Sequence, residues 1–172
     1  MPRSSVKAHV YEISSMWETI NSSVSSLQAY HVGVEVYGWE YTFQFIFDDP
    51  EGTGVVICKP TQAMNYIFKE SMDLGPTPYS EDQIQAIIEK LASQWLSKNY
   101  HLTRRNCVDF SRVLTAELKV RELPAWVSSA ADASKEGGVL SWIVERGWQG
   151  VQWYYGVQSQ PSTDQDVRKF SC

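Results

Sequence analysis

The residues with the most chemical potential in this chain are Cys107 and the three histidines, His9, His31 and His101. Cys107 follows Asn106, and Phe110, Val113, Leu114 and Leu118 recur behind it on one helical face. Asn is a good helix cap because its side-chain oxygen accepts from the free backbone N–H groups of the first turn. That places Cys107 at the first helical position, where unsatisfied N–H groups and the helix dipole favour negative charge, so the thiol pKa is expected to fall and its thiolate fraction to rise. The same N–H groups can hold the oxyanion that forms when a thiolate attacks a carbonyl carbon. A nucleophile of this kind needs an imidazole to take the thiol proton and return it to the leaving group.

Of the histidines, His101 lies in the connection just upstream of Cys107, and His9 stands opposite in parity to the apolar face of its strand. His31 opens a strand and points away from that strand's valines, beside Gly33, whose missing side chain would leave room for a substrate backbone. His31 is the choice. The bland reading competes with it, since a lone Cys is usually a small buried hydrophobe and a lone His a satisfied strand residue. Asp109 adds a carboxylate within a turn of the nucleophile. It would raise the thiol pKa, yet at the third helical position it also suits a helix start, and that capping role is preferred.

The elements that must position these residues are legible from periodicity. Val6, Ala8 and Val10 alternate with Lys7, His9 and Tyr11 until Glu12 and Ile13 break the parity. Val32, Val34 and Val36 alternate with His31, Gly33 and Glu35; Gly38 then punctuates the chain before residues 39–45, whose odd positions are aromatic, which predicts a hairpin. That aromatic face reads as core rather than as a substrate groove. A turn cluster over 48–54 precedes one more strand, Val55 to Cys58, which Pro60 stops. Ser80 with Gln83 forms a capping-box pattern, and Ile84, Ile87, Ile88, Leu91 and Trp95 make a stripe, so a helix is expected from Ser80 to Ser97. The Asn106 helix should end before Pro124. Residues 14–26 read as a Ser-rich connection, 139–148 as a short helix and 158–172 as a polar tail.

Composition bounds the function. A chain of 172 residues with 43% hydrophobic and 20% charged residues can build one globular domain with a real core. A net charge of −5 argues against a nucleic-acid surface. No run reaches the roughly 18 apolar residues of a membrane span. The N-terminal residues lack an apolar signal core and carry Pro2 where myristoylation needs glycine. Cys58, Cys107 and Cys172 are odd in number and widely spaced, which suits a reducing compartment, cytoplasm or nucleus. Cys58 with His31 or His101 lacks the close spacing of metal-ligand pairs, and no metal or cofactor is expected.

Several stretches occur together in order: V-K-A-H-V-Y-E-I-S at 6–14, Y-H-V-G-V-E-V-Y-G-W-E-Y-T-F at 30–43, L-G-P-T at 74–77, N-C-V-D-F-S at 106–111 and L-P-A-W-V at 123–127. Over residues 6 to 127 the chain resembles the PPPDE family, the permuted papain-fold cysteine peptidases that include deSUMOylating isopeptidases. The resemblance implies an α+β fold, a circularly permuted papain-like one, with a small, mostly antiparallel sheet packed against helices. It implies His31 as catalytic histidine and Cys107 as nucleophile, in the reverse of papain's chain order. It divides the chain into a peptidase domain over 1–130 and an extension over 131–172. The implied activity is hydrolysis of the isopeptide bond between a ubiquitin-like modifier, SUMO or ubiquitin, and a target lysine. Val108 and Asp109, and the run from Gln44 through the 48–64 segment, depart from the family pattern, which leaves substrate choice open. A third polar residue often orients the histidine in papain-like sites; Glu40, Thr42 and Gln44 are candidates, and parity does not choose among them. Two rivals use the same groove: an acyl-protein thioesterase with the same Cys/His pair, and a non-catalytic binder of ubiquitin-like proteins or peptides, whose mark would be an inert, buried Cys107.

Overall fold

The hairpin at residues 37–38 sets the register of the sheet. Tyr37 and Gly38 both take positive φ, 52° and 76°, the pairing of a two-residue type I′ turn, whose twist matches that of the flanking strands. In this computed structural model, which describes residues 4–13, 30–64 and 66–129, the turn joins β2 (Tyr30–Val36) to β3 (Trp39–Phe43). They combine with β1 (Ser5–Ile13), β4 (Val55–Cys58) and β5 (Tyr66–Pro76) in a five-stranded sheet of order β4-β3-β2-β1-β5, every neighbouring pair antiparallel. Helices α1 (Glu81–Gln94) and α2 (Cys107–Glu117) follow, separated by a 3₁₀ turn at Ser97–Asn99. The α+β architecture with an antiparallel sheet is the one expected. The expected connection at 14–26, the helix at 139–148 and the polar tail lie outside the described residues.

One face of the sheet is apolar and carries the helices. Val6, Ala8, Val10, Val32, Val34 and Val36 form one core with Ile84, Ile88 and Leu91 of α1 and Phe110 and Leu114 of α2. Phe43 closes it, fully buried, with its ring 4.9 Å from Trp95 and 6.2 Å from Phe110. Ser80 caps α1 through a reciprocal capping box with Gln83, as the spacing predicts. The helix stops at Gln94 rather than Ser97, because Trp95 leaves helical geometry and its carbonyl accepts from Gly54 N–H at 2.8 Å, tying the chain to the 48–54 turn cluster. β3 likewise stops at Phe43: Trp39 is exposed, and Phe45 and Phe47 meet edge to face outside the strand. The core reading of the aromatics therefore holds for Tyr41 and Phe43 alone among the odd positions.

The opposite face is polar and also buried. Register sets Tyr11 opposite His31 and His9 opposite Gly33. His9 is held between Ser71 Oγ at 2.7 Å and Glu35 Oε2 at 2.8 Å. The Tyr11 hydroxyl reaches both Glu40 oxygens, at 2.8 and 2.7 Å, and Thr61 N–H donates to Oε2 at 2.9 Å. Burying a carboxyl group without such donors would cost several kcal/mol, roughly 2–7 on transfer scales. Gly33 was expected to make room for a substrate; instead a Cβ there would overlap the Glu40 carboxyl group. The glycine accommodates an interior side chain. β5, which the sequence pattern does not announce, is an edge strand with Ile67, Phe68 and most of its other side chains exposed, and it pairs with β1 across two register shifts. Gly33→Ala should lower stability by about 1–3 kcal/mol through overpacking, and Glu40→Ala in the same chain should relieve most of that loss. Chemical denaturation of the two single variants and the double variant checks this; strictly additive losses would contradict it.

Candidate active site

Cys107 is the first residue of α2, and the Asn106 side chain accepts from Val108 N–H at 2.9 Å and Asp109 N–H at 3.2 Å. Asp109 completes the box by accepting from Asn106 N–H at 3.1 Å, so its preferred capping role stands. The helix start is laid against β2 where β2 and β3 part. Their ladder ends at Val34↔Tyr41, and beyond it the backbone groups of residues 30–32 that face β3 need other partners. They find them: Cys107 Sγ approaches Tyr30 O at 3.9 Å, the Val32 N–H points at the thiol, and Val32 O accepts from Thr42 Oγ1 at 2.8 Å and from Ser111 Oγ at 3.5 Å. The sulfur thus lies against the backbone on both sides of His31.

His31 itself is 2% exposed. Its ring stacks on Tyr66, centroids 3.9 Å apart and planes within 2°, with Tyr11 at 5.9 Å. Its Nε2 lies 3.2 Å from Thr42 Oγ1, so Thr42 is the one of the three polar candidates that reaches the imidazole. Glu40 is committed to Tyr11 and Thr61. Among the described residues, no hydrogen bond joins Sγ to the imidazole. The structure brings Cys107 beside the strand of His31 and keeps His9 and His101 elsewhere: His9 is bound to Ser71 and Glu35, and His101 Nδ1 lies 3.2 Å from Thr103 Oγ1.

Electrostatics depart from the expectation of a lowered thiol. The N–H groups of Val32, Val108 and Cys107 do favour the thiolate, but burial outweighs them, and with help from the Asp109 charge it pushes the thiol up to about 11. Burial likewise pushes His31 down to about 3. Both groups are neutral at pH 7 with Tyr66 in place. The Tyr66 and Tyr100 hydroxyls are themselves raised, first by burial and then by the charge Cys107 would carry once ionised. Two participants were not singled out by the sequence reading: Tyr66, at the head of the unannounced strand, and Ser111, one helical turn below Cys107. Only Ser111 had a local signal, its place four residues after the cysteine on the same helix.

The free thiol is predicted to react slowly at neutral pH, with a rate that rises about tenfold per pH unit from about pH 7 to about pH 10. Iodoacetamide alkylation read at Cys107 by peptide mass mapping checks this; a rate that levels off near neutrality would contradict it.

With the geometry established, comparison with known proteins supplies context. A family model described as "PPPDE putative peptidase domain" matches residues 4–148. A desumoylating isopeptidase 1 homolog of Caenorhabditis elegans is 30% identical over 152 residues, 83% of this chain and 43% of that protein. A DeSI-like protein of Arabidopsis thaliana is 28% identical over 102 residues, 59% of this chain and 45% of its own length. The chain therefore spans less than half the length of each of these relatives.

Proposed function

Because the chain belongs to the PPPDE peptidase family, we propose that it is a cysteine isopeptidase that releases a ubiquitin-like modifier from a target lysine, with Cys107 as nucleophile and His31 as general base and acid. The observation that carries this reading is the position of Sγ, at the first residue of α2 and against the backbone on both sides of His31. The imidazole takes the thiol proton as Sγ attacks the modifier's terminal carbonyl carbon. The C–N bond to lysine breaks as the imidazolium protonates the departing amine, and water then hydrolyses the thioester and restores the thiol. The Cys107 N–H lies among the donors that can face the oxyanion, whereas Val108 N–H is already engaged by the Asn106 cap. The scheme uses no metal or cofactor. The name of the worm relative favours SUMO over ubiquitin as the modifier, and cysteine usage favours the cytoplasm or nucleus.

One observation favours a second reading: the buried, neutral thiol suits a groove that holds a modifier without cleaving it. On the isopeptidase reading, substrate must displace the Tyr66 ring from His31 before the charged pair can form.

SUMO and ubiquitin probes with a thiol-reactive carboxyl end distinguish these. The isopeptidase reading predicts labelling by one modifier, lost in Cys107→Ala and reduced about 100-fold or more in His31→Ala. Binding of the modifier without labelling would favour the non-catalytic groove. Cys107-dependent hydrolysis of a fatty-acyl thioester, with neither probe reacting, would favour the thioesterase.

A further inference from the structure

The hydroxyl of Thr42 stands between two partners, and its bonding bears on which nitrogen of His31 carries the proton. Thr42 is fully buried on β3, one residue past the last rung of the β2–β3 ladder. Its Oγ1 lies 2.8 Å from Val32 O and 3.2 Å from His31 Nε2. A carbonyl oxygen can only accept, and a hydroxyl has one proton to give. The short contact to Val32 O therefore claims the Thr42 proton, and Oγ1 is left to accept from His31. The imidazole is neutral in this buried position and has a single N–H, which must then reside on Nε2. Nδ1 is left with its lone pair, and no hydrogen bond among the described residues engages it. The Tyr66 ring, parallel to the imidazole at 3.9 Å, blocks one face and limits rotation of the ring out of this arrangement. Glu40, which carries the stronger acceptor, is taken by Tyr11 and Thr61 and does not reach the imidazole.

We infer that Thr42 is the positioning residue of the site: by accepting from His31 Nε2–H it fixes the imidazole in the tautomer whose bare nitrogen, Nδ1, takes the proton of Cys107. The catalytic consequence rests on the isopeptidase reading above; the tautomer does not. A hydroxyl in this role holds the ring through a neutral hydrogen bond, whereas a carboxylate would also stabilise the imidazolium. The ring is therefore oriented without being made more basic, in keeping with a site whose two reacting groups are uncharged at rest.

The test uses the full chain labelled with ¹⁵N and reads the imidazole nitrogens of His31 by long-range proton–nitrogen correlation, with the signals assigned by their loss in His31→Gln. In the wild type, Nε2 should be the protonated nitrogen. Thr42→Val, which keeps the shape and removes the hydroxyl, should give a mixture of tautomers. Thr42→Ser should restore the single one. A wild-type His31 protonated on Nδ1 overturns the proposal whether or not Thr42→Val folds, and so does a folded Thr42→Val protein with an unchanged tautomer. A tautomer that follows the hydroxyl in a protein that no ubiquitin or SUMO probe labels would sustain Thr42 as positioning residue while removing the isopeptidase reading.

Discussion

The site depends on an interruption: β2 and β3 stop pairing at Val34 and Tyr41, inside the sheet rather than at its edge. Backbone N–H and C=O groups buried there must still be satisfied, and α2 and β3 supply the means. The start of α2 offers Cys107 and, one turn on, Ser111, β3 offers Thr42, and the Tyr30 to Val32 backbone receives them. A helix start is thereby inserted where a strand would otherwise continue. The same residues that satisfy the backbone include those to which the proposed chemistry is assigned, since Cys107 holds the thiol and Thr42 touches His31. Had the ladder run two residues further, the Val32 carbonyl would be engaged by β3 and the thiol would have no place beside His31.

The second constraint is burial. Helix starts favour anions, and three backbone N–H groups do face the sulfur, yet enclosure in protein costs the thiolate more than those donors return. Tyr66 covers the histidine side of the site, its ring stacked on His31. The segment that leads to it is pinned: Thr61, at φ 66°, donates its N–H to Glu40, and Glu40 fills the space Gly33 leaves. In the resting arrangement Cys107 and His31 are neutral and covered, a state that slows oxidation or alkylation of the thiol.

What the sequence makes legible is local. The Asn106 and Ser80 caps, the two helical stripes, the hairpin at Gly38 and the valine alternation each depend on residues within a turn or two of one another, and each forms as expected save that Val113 of the second stripe is exposed. The placement of Cys107 at a helix start and of His31 in a strand is read by the same means. What is not legible depends on distant partners. β5 is recruited by backbone bonds to β1, and its exposed side chains need not alternate. The role of Gly33 is decided by Glu40, seven positions along and across a hairpin. Parity places Glu40 and Thr42 on one face with His31 and cannot choose between them; the choice falls to Thr42 because Tyr11 and Thr61 have taken the carboxyl group. The thiol pKa is reversed for a related reason: a dipole at a helix start is visible in a sequence and the burial of that start in the folded chain is not.

The most direct test of the central claim is to trap the acyl intermediate. A SUMO or ubiquitin conjugate is mixed with the protein, quenched in acid during turnover, and the adduct is located by peptide mass mapping. The account predicts the modifier joined through its carboxyl end as a thioester on the peptide that carries Cys107, absent in Cys107→Ala and accumulating slowly in Thr42→Val. Cleavage that proceeds with the adduct on Cys58 or Cys172, or with no thioester at any cysteine under conditions that preserve thioesters, would contradict it.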